Sequence, residues 1–303
     1  MSEQDWLAQR FEEHRRRLRA VAYRMLGSVS EAEDAVQEAW LRLSRSEPGE
    51  IENLSGWLTT VVARVSLNML RSRAVRREEP LSPRLPDPIV DRADGVDPEH
   101  EALLADSVGL ALLVVLDTQT PPERLAFVMH DMFAVPFEEI APLIDRSPQA
   151  ARQLASRARR RVRARPTTPD ADVSAQWEVI TAFLAAARGG DFDALVAILD
   201  PDVVLHADGG TAFAAAPAQV RGALAVARQA AMWSGVDLAM HRVLVNGAAG
   251  VVATRNGVVF SIAAVLVRNG KIAEMDFLAD PGRIARLDLT FLGGRESAGG
   301  RQE

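Results

Sequence analysis

Two arginine-rich stretches are the residues of this sequence whose types and spacing most clearly predict a chemistry. Neither the stretch 53–77 nor the stretch 147–169 contains an acidic residue. Arginine side chains without neighbouring carboxylates form the positive surface that nucleic acids and other polyanions require. A solvated helix face would have the same composition, so each stretch by itself leaves both interpretations open. The arginines are Arg64, Arg71, Arg73, Arg76 and Arg77 in the first stretch, and Arg152, Arg157, Arg159, Arg160, Arg161, Arg163 and Arg165 in the second.

The second stretch lies within a pattern typical of a helix-turn-helix. Apolar residues recur at helical spacing over 137–144, and Pro142 predicts a kink or an early end of that helix. Asp145 lies in the turn, Ser147 is placed to cap the next helix and Pro148 occupies its first turn. We therefore predict a DNA-recognition helix, with a plain helical hairpin as the alternative. Its outward residues would be Gln149, Arg152, Gln153, Ser156, Arg157 and Arg160.

Composition limits the classes of protein to which the chain can belong. Its 303 residues are 48% apolar and 25% charged, with a formal net charge of −6, which is ordinary for a globular protein. The absence of cysteine excludes disulfides and thiolate metal sites. No apolar stretch approaches the ~20 residues of a membrane helix, and the N-terminus lacks the apolar core of a signal peptide. We therefore expect a cytoplasmic protein that does not associate with membranes.

Changes in patterning along the chain predict several domains. Helical periodicity covers the first part, and an acidic segment with five prolines interrupts it. Apolar runs separated by Asn246-Gly247, Asn256-Gly257 and Asn269-Gly270 then predict hairpins of a curled antiparallel sheet behind a leading helix. The predicted boundaries are 1–77 (helical domain), 78–100 (proline-rich linker), 101–165 (helical domain with the helix-turn-helix), 166–173 (short linker), 174–290 (α+β domain) and 291–303 (tail).

Long motifs in these domains resemble a known family. Residues 22–43 (AYRMLGSVSEAEDAVQEAWLRL) and 56–73 (GWLTTVVARVSLNMLRSR) are similar to domain 2 of bacterial sigma factors of the extracytoplasmic-function (ECF) group, and 122–162 is similar to their domain 4. Residues 177–210 resemble the start of a SnoaL-like domain, the cystatin-like cone that ketosteroid isomerases share. The resemblance implies a multidomain sigma-J-like ECF factor, with two all-α sigma domains followed by an α+β SnoaL-like domain.

The resemblance also implies how the two sigma domains act. Domain 2 would dock on the clamp helices of the RNA polymerase β′ subunit and bind the −10 promoter element, and domain 4 would bind the −35 element through the recognition helix. For the acidic residues that would contact the polymerase, an ordinary solvated helix face is the alternative. The implied polymerase contacts are Glu31, Glu33, Asp34, Gln37 and Glu38, and the implied −10 contacts are Arg64, Asn68, Arg71 and Arg73.

Two short motifs of this subfamily are associated with control of the sigma core by the C-terminal domain, and a third, the proline motif of the linker, is typical of the subfamily. The linker motif Trp-Leu-Pro-Glu-Pro has Arg84 here in place of Trp, the Asp-Gly-Gly-Gly-Lys turn lacks its Lys, and the Asn-Pro-Asp-Lys-Leu run is matched only loosely. We therefore expect contacts that are weaker or rebuilt. The implied regulatory residues are Leu85, Pro86, Asp87, Pro88, Asp208, Gly209, Gly210, Asp280 and Pro281.

Two interpretations of the C-terminal domain remain open. Relatives of the cone use a pocket carboxylate or histidine for proton transfer, which makes His206, Asp208 and Asp276 candidates for catalysis. A His–Asp pair at a strand end is more often on the surface. We therefore expect a regulator without catalytic residues, cofactor or metal, whose cone could hold a small ligand that shifts its contacts.

The prediction from the whole sequence is a sigma factor whose partners are core RNA polymerase and promoter DNA. The alternative is a helix-turn-helix regulator with a ligand-sensing or isomerase-like C-terminal domain. Domain 2 distinguishes the two, because only a sigma factor needs a polymerase-docking helix and a strand-separating helix.

Overall fold

The computed structural model describes residues 3–46, 51–76, 85–96, 100, 109–165, 167–210 and 218–295. The predicted start of the second helical domain at Glu101, the arginine at 77 and the end of the tail lie outside the described residues. Contacts divide the chain into two units. The first consists of residues 1–80, 98–108 and 112–167, and the second of residues 81–97, 109–111 and 168–303.

Three helices with apolar stripes form the first part of the first unit. They are α1 (Glu3–Leu26), α2 (Val29–Leu43) and α3 (Leu54–Arg76). Apolar residues at helical spacing give each helix an apolar face, and these faces are buried when the three helices pack together. Gly27 ends α1 with a φ of 67°, which a residue without Cβ adopts easily. Buried stripe residues include Leu18, Val21, Met25, Ala32, Val36, Ala39, Leu43, Leu58, Val62 and Val65.

The helix-turn-helix pattern is confirmed in the second part of this unit. The first helix of the pair ends at Ile140 and tightens into a 3₁₀ turn over Ala141–Leu143, where Pro142 interrupts the α-helical bonding. Asp145 has a φ of 53°, in the turn position where it was expected. The helices are α4 (Leu110–Asp117), α5 (Pro121–Phe127, continued by a π turn over Val128–Met132), α6 (Phe137–Ile140) and α7 (Pro148–Arg163).

A seven-stranded sheet is the centre of the second unit, with strand order β1-β4-β5-β6-β7-β2-β3. As predicted, the three Asn-Gly turns connect β4 to β5, β5 to β6 and β6 to β7, and both residues of each turn have positive φ. The expectation of a purely antiparallel sheet is wrong, because β2 pairs with β7 in parallel. The strands are β1 (Val90–Arg92), β2 (Leu199–Asp208), β3 (Gln219–Arg221), β4 (Ala239–Val245), β5 (Ala248–Arg255), β6 (Val258–Arg268) and β7 (Lys271–Leu278).

Helices cover one face of this sheet and enclose its core. These are α8 (Val173–Gly189), α9 (Phe192–Ile198) and α10 (Ala223–Ala231), and the short α11 (Pro281–Ile284) follows the last strand. Gly190, with a φ of 68°, ends α8 and allows the chain to turn into α9. Among the described helices of the whole chain, none is both long and apolar enough to cross a membrane.

Candidate functional site

The predicted recognition helix, α7, presents the outward face that the sequence predicted. Its first amide groups are capped by Ser147, whose hydroxyl accepts a 3.2 Å hydrogen bond from the Ala150 amide. Ala151, Ala155 and Ala158 are buried on the inner side. The predicted contact residues Gln149, Arg152, Gln153, Ser156, Arg157 and Arg160 are all exposed.

Two other arginines of α7 hold the helix in place. Arg159 donates to Asp131 at 2.5 Å, and Arg161 donates to Glu123 at 2.7 Å. Glu123 also forms the capping box of α5 with Thr120. Burial raises the pKa of Glu123, but the hydrogen bonds from Arg161 and Thr120 outweigh it and leave the pKa below its ordinary value. The arginine stretch therefore contains two arginines that bind carboxylates within this unit, beside the exposed Arg152, Arg157 and Arg160 of the predicted contact face.

The predicted polymerase-docking face of α2 is partly engaged in ion pairs within the first unit. Glu31 pairs with Arg73, and Glu33 pairs with two arginines of α1. Glu38 accepts from Arg42 at 3.0 Å, one turn further along α2. Asp34 and Gln37 are exposed, which leaves their side chains accessible to a partner.

The ion pair between Glu31 and Arg73 also sets one of the predicted −10 contacts of α3 apart from the other three. Arg64, Asn68 and Arg71 are exposed on the helix. Arg73 instead donates to the Leu26 carbonyl at 3.1 Å and pairs with Glu31, so one residue predicted for DNA and one predicted for polymerase bind each other. This pair joins α3 to α2, whereas the other three side chains point to solvent.

In the second unit, the segment 85–92 of the predicted linker is bound to the C-terminal domain. The Leu85 amide donates to Asp208 Oδ2 at 2.9 Å, and the Ile89 amide donates to Asn246 Oδ1 at 3.0 Å. Strand β1 then pairs with β4 through Val90 to Arg92. Pro86 and Pro88 are buried beside them. The proline-rich composition of the linker does not predict this additional strand.

A buried arginine joins that segment to two carboxylates, and we call these four residues (Leu85, Asp87, Asp208 and Arg283) the linker clamp. Arg283 donates to the Leu85 carbonyl at 2.6 Å and through Nε to Asp87 Oδ1 at 3.0 Å, and it pairs with Asp208. Its side chain is 6% exposed. The site residues predicted from the sequence do not include Arg283, although it occupies the basic position of the loosely matched Asn-Pro-Asp-Lys-Leu run.

The two glycines and the Asp-Pro pair predicted as regulatory have different positions. Gly210 has a φ of 55°, and a Cβ there would collide with the Asp280 side chain. Asp280 caps α11 by accepting from the Arg283 amide at 3.1 Å, and Pro281 is exposed in the first turn. Gly209 lies at the wall of the cone cavity. Asp280 thus caps the short helix that carries Arg283 of the linker clamp, whereas Gly209 borders the cavity.

The cone encloses an apolar cavity of about 210 Å³. Phe183, Trp233, Phe260 and Phe277 contribute aromatic rings to its wall. Arg188, Gln229 and Ser261 supply its polar side chains, and within the described residues the lining contains no carboxylate or imidazole. Proton transfer of the isomerase type needs such a group next to the substrate. The cavity therefore has the lining of a binding site for an apolar molecule.

The candidate catalytic residues lie on the opposite face of the sheet from the cavity. Successive side chains of a strand alternate between faces, and Leu205 and Ala207 line the cavity, which places His206 and Asp208 on the other side. His206 is buried, with Nδ1 at 2.8 Å from Asp276 Oδ1 and 3.4 Å from Glu274 Oε1. The expectation of a surface His–Asp pair is therefore wrong.

Comparison with known proteins agrees with the fold described within each unit. Residues 10–76 match the Sigma-70 region 2 family, residues 110–162 match Sigma-70 region 4, and residues 180–275 match the SnoaL-like domain family. These matches confirm the predicted fold class of two helical sigma domains followed by a SnoaL-like domain.

Individual relatives extend the similarity over nearly the whole chain. The "ECF RNA polymerase sigma factor SigJ" of Mycobacterium tuberculosis is 39% identical over 292 residues, covering 92% of this chain and 93% of that protein. The "Probable ECF RNA polymerase sigma factor SigI" of the same organism is 32% identical, covering 97% and 100%. The crystal structure of M. tuberculosis SigJ covers 93% of this chain and 99% of its own, with a TM-score of 0.71 and 36% identity. This chain belongs to the ECF RNA polymerase sigma factors.

Proposed function

We propose that this sigma factor controls its own activity by holding the segment between its two promoter-binding domains on its SnoaL-like domain. As a sigma factor it acts in transcription initiation and is not an enzyme; its partners are core RNA polymerase and promoter DNA. The observation that carries the proposal is the linker clamp, in which Arg283 binds Leu85 and Asp87. A segment held in this way is restrained from following another path when the sigma domains bind their partners.

The residues that contact DNA follow from exposure and charge. In domain 4, the outward face of α7 would place Gln149 and Arg152 at base edges near the helix start and Arg157 and Arg160 at phosphates. In domain 2, exposed Arg64, Asn68 and Arg71 would bind the −10 element. Arg73 would contribute there only after leaving Glu31, so we place it second to the other three.

The polymerase contact would centre on the exposed part of α2. Asp34 and Gln37 project to solvent, and Glu33 and Glu38 flank them in ion pairs that water already reaches. Exposed pairs of this kind contribute only about 0–1 kcal/mol, so a basic partner can replace them at little cost. We propose that this face binds the β′ clamp helices, with Glu31 remaining bound to Arg73.

The cone is proposed to bind a small apolar ligand that changes the strength of the clamp. Gly209 lies at the cavity wall, and its neighbour Asp208 is a member of the clamp. A ligand that binds one arrangement of this turn more tightly than another would shift the population of closed clamps. The lack of a carboxylate or imidazole in the described lining favours binding over isomerase chemistry.

Run-off transcription with purified core RNA polymerase tests the regulatory proposal. The template would carry the region upstream of the gene that encodes this chain. Full-length protein, protein ending at Arg165 and the variant Arg283→Met would be compared, with the exposed neighbour Arg286→Met as the matched control. We expect the truncation and Arg283→Met to change transcript yield in the same direction, and Arg286→Met to leave it unchanged. Equal yields from all four proteins across promoters and salt concentrations would refute self-regulation.

A further inference from the structure

A second group of buried polar side chains lies on β2 and β7, separate from the clamp and from the cavity. His206, Glu274 and Asp276 are 6%, 2% and 3% exposed, respectively. One ligand atom from each of the three lies within 4.8 Å of the other two. Sigma-factor function as described above uses none of them. Because they belong to two paired strands, their positions are held by the sheet.

The register of the strands explains why these three side chains meet. In the parallel pairing of β2 with β7, His206 is opposite Asp276 and Val204 is opposite Glu274. Residues 274 and 276 are two apart, so both carboxylates point to the same face of the sheet as the imidazole. Rigid strand positions of this kind place ligands more accurately than loops do.

The two distances from His206 to the carboxylates are close to those between donors on a common metal ion. Imidazole nitrogens and carboxylate oxygens bind a divalent ion at about 2.0–2.2 Å, so two donors on one ion are about 3–4 Å apart. His206 Nδ1 is 3.4 Å from Glu274 Oε1 and 2.8 Å from Asp276 Oδ1. A shift of a few tenths of an ångström at Asp276 would bring both separations into that range.

A neighbouring amide would orient the imidazole for this role. The Gln219 side-chain nitrogen Nε2 is 2.7 Å from His206 Nε2, on the side of the ring away from the carboxylates, where it donates to the ring and leaves the proton on Nδ1. A half-turn of this amide brings its oxygen towards the ring, where it would accept the Nε2 proton, and Nδ1 would then be the unprotonated nitrogen that faces the carboxylates. Metal-binding histidines commonly have such a hydrogen bond on their second nitrogen.

We propose that His206, Glu274 and Asp276 bind one divalent first-row transition metal ion. A set of one nitrogen and two oxygen donors suits Mn²⁺, Fe²⁺ or Zn²⁺. It suits Ca²⁺ and Cu⁺ less well, because Ca²⁺ prefers sites made only of oxygen donors and Cu⁺ prefers thiolates. The ion would link β2 to β7, and β2 is also the strand that carries Asp208 of the linker clamp. The C-terminal domain would therefore bind a cation in addition to the linker segment.

Titration calorimetry of the full chain with Zn²⁺ and, separately, with Mn²⁺ tests the site. The protein would carry a tag without histidine and would be freed of metal with a chelator. We expect one ion per chain, binding at least tenfold weaker in Asp276→Asn, and about 10- to 100-fold weaker in Gln219→Ala. The control His241→Ala removes a histidine of β4 that bonds to Thr254, outside the cluster, and should bind the ion normally.

Zinc X-ray absorption of the unmutated chain gives an independent result if a variant fails to fold. We expect a coordination shell with one imidazole and oxygen donors, without sulfur. The absence of stoichiometric binding of both ions, or equal binding by Asp276→Asn and the unmutated chain, would overturn the proposal. The three side chains would then be a hydrogen-bonded network of the sheet.

Discussion

Replacing Arg283 by methionine is the perturbation that isolates the charge of the linker clamp. Methionine keeps an apolar stem of similar length, so the packing of the stem is largely retained while the guanidinium is lost. The change removes the donors to the Leu85 carbonyl and to Asp87, and the cation beside Asp208. We expect the segment that follows Leu85 to leave the SnoaL-like domain more often.

The size of the effect follows from burial. Arg283 and Asp208 are 6% and 7% exposed, so little solvent screens their pairing. Removing one partner of a buried pair costs about 3–5 kcal/mol, because the remaining charge loses its compensation. Each 1.4 kcal/mol is a factor of ten, so opening of the segment should become roughly 100- to 4,000-fold more frequent.

Amide hydrogen exchange measures this opening directly. The Leu85 amide is protected by Asp208 Oδ2 in the clamp, and its exchange should accelerate by the full factor or up to the unprotected rate. The Ile89 amide, which bonds to Asn246 beyond the clamp, should accelerate less. Arg286→Met should change neither amide, because Arg286 is exposed.

Two outcomes would refute this reasoning. A change of less than about threefold at Leu85 would mean that the buried charges do not hold the segment, because it corresponds to well under 1 kcal/mol. Equal acceleration in Arg283→Met and Arg286→Met would mean that a general loss of positive charge, and not the clamp, is responsible.

Three further predictions concern other parts of the chain. Arg157→Ala should weaken binding to −35 and unrelated DNA equally and lower the salt slope by about one, measured by fluorescence anisotropy at several salt concentrations. Gly210→Ala should lower the thermal stability of the second unit, measured by calorimetry, because its positive φ is unfavourable for alanine and a Cβ would meet Asp280. Because hydrogen bonds hold the pKa of Glu123 below its ordinary value, its stabilisation exists above the unfolded-state pKa and should be lost as pH falls through the folded-state pKa, measured by unfolding between pH 7 and 3.

Each of these has a matched control. Arg163→Ala removes an exposed arginine of α7 outside the predicted contact set, and an equal loss of DNA binding there would contradict the assigned face. Gly235 has a φ of 76°, and a Cβ built there would meet no other atom. Gly235→Ala therefore measures the cost of backbone strain alone, without the collision expected at Gly210. Glu123→Gln should remove the part of the acid dependence that comes from Glu123, whereas exposed Glu138→Gln should retain it; identical pH profiles of the two variants would contradict the assignment.

Local patterns by themselves determined much of the fold. Each Asn-Gly pair adopts the positive φ angles that join antiparallel strands, because these residues tolerate that conformation wherever they lie. The cap at Ser147 and the interruption at Pro142 likewise depend on bonds to residues within one turn. The outward face of α7 followed from helical spacing. Such features could be predicted because both partners of each interaction are close in sequence.

Tertiary structure decided which distant side chains meet. Arg73 binds Glu31 across two helices, and Arg283 binds Asp87 from 196 residues away, so neither pairing is visible from spacing. Strand alternation puts His206 and Leu205 on opposite faces, but only the packed helices show which face encloses the cavity. The sequence therefore determined the local elements and the family, and the packing of the sheet decided that the cone is apolar and that its histidine lies outside it.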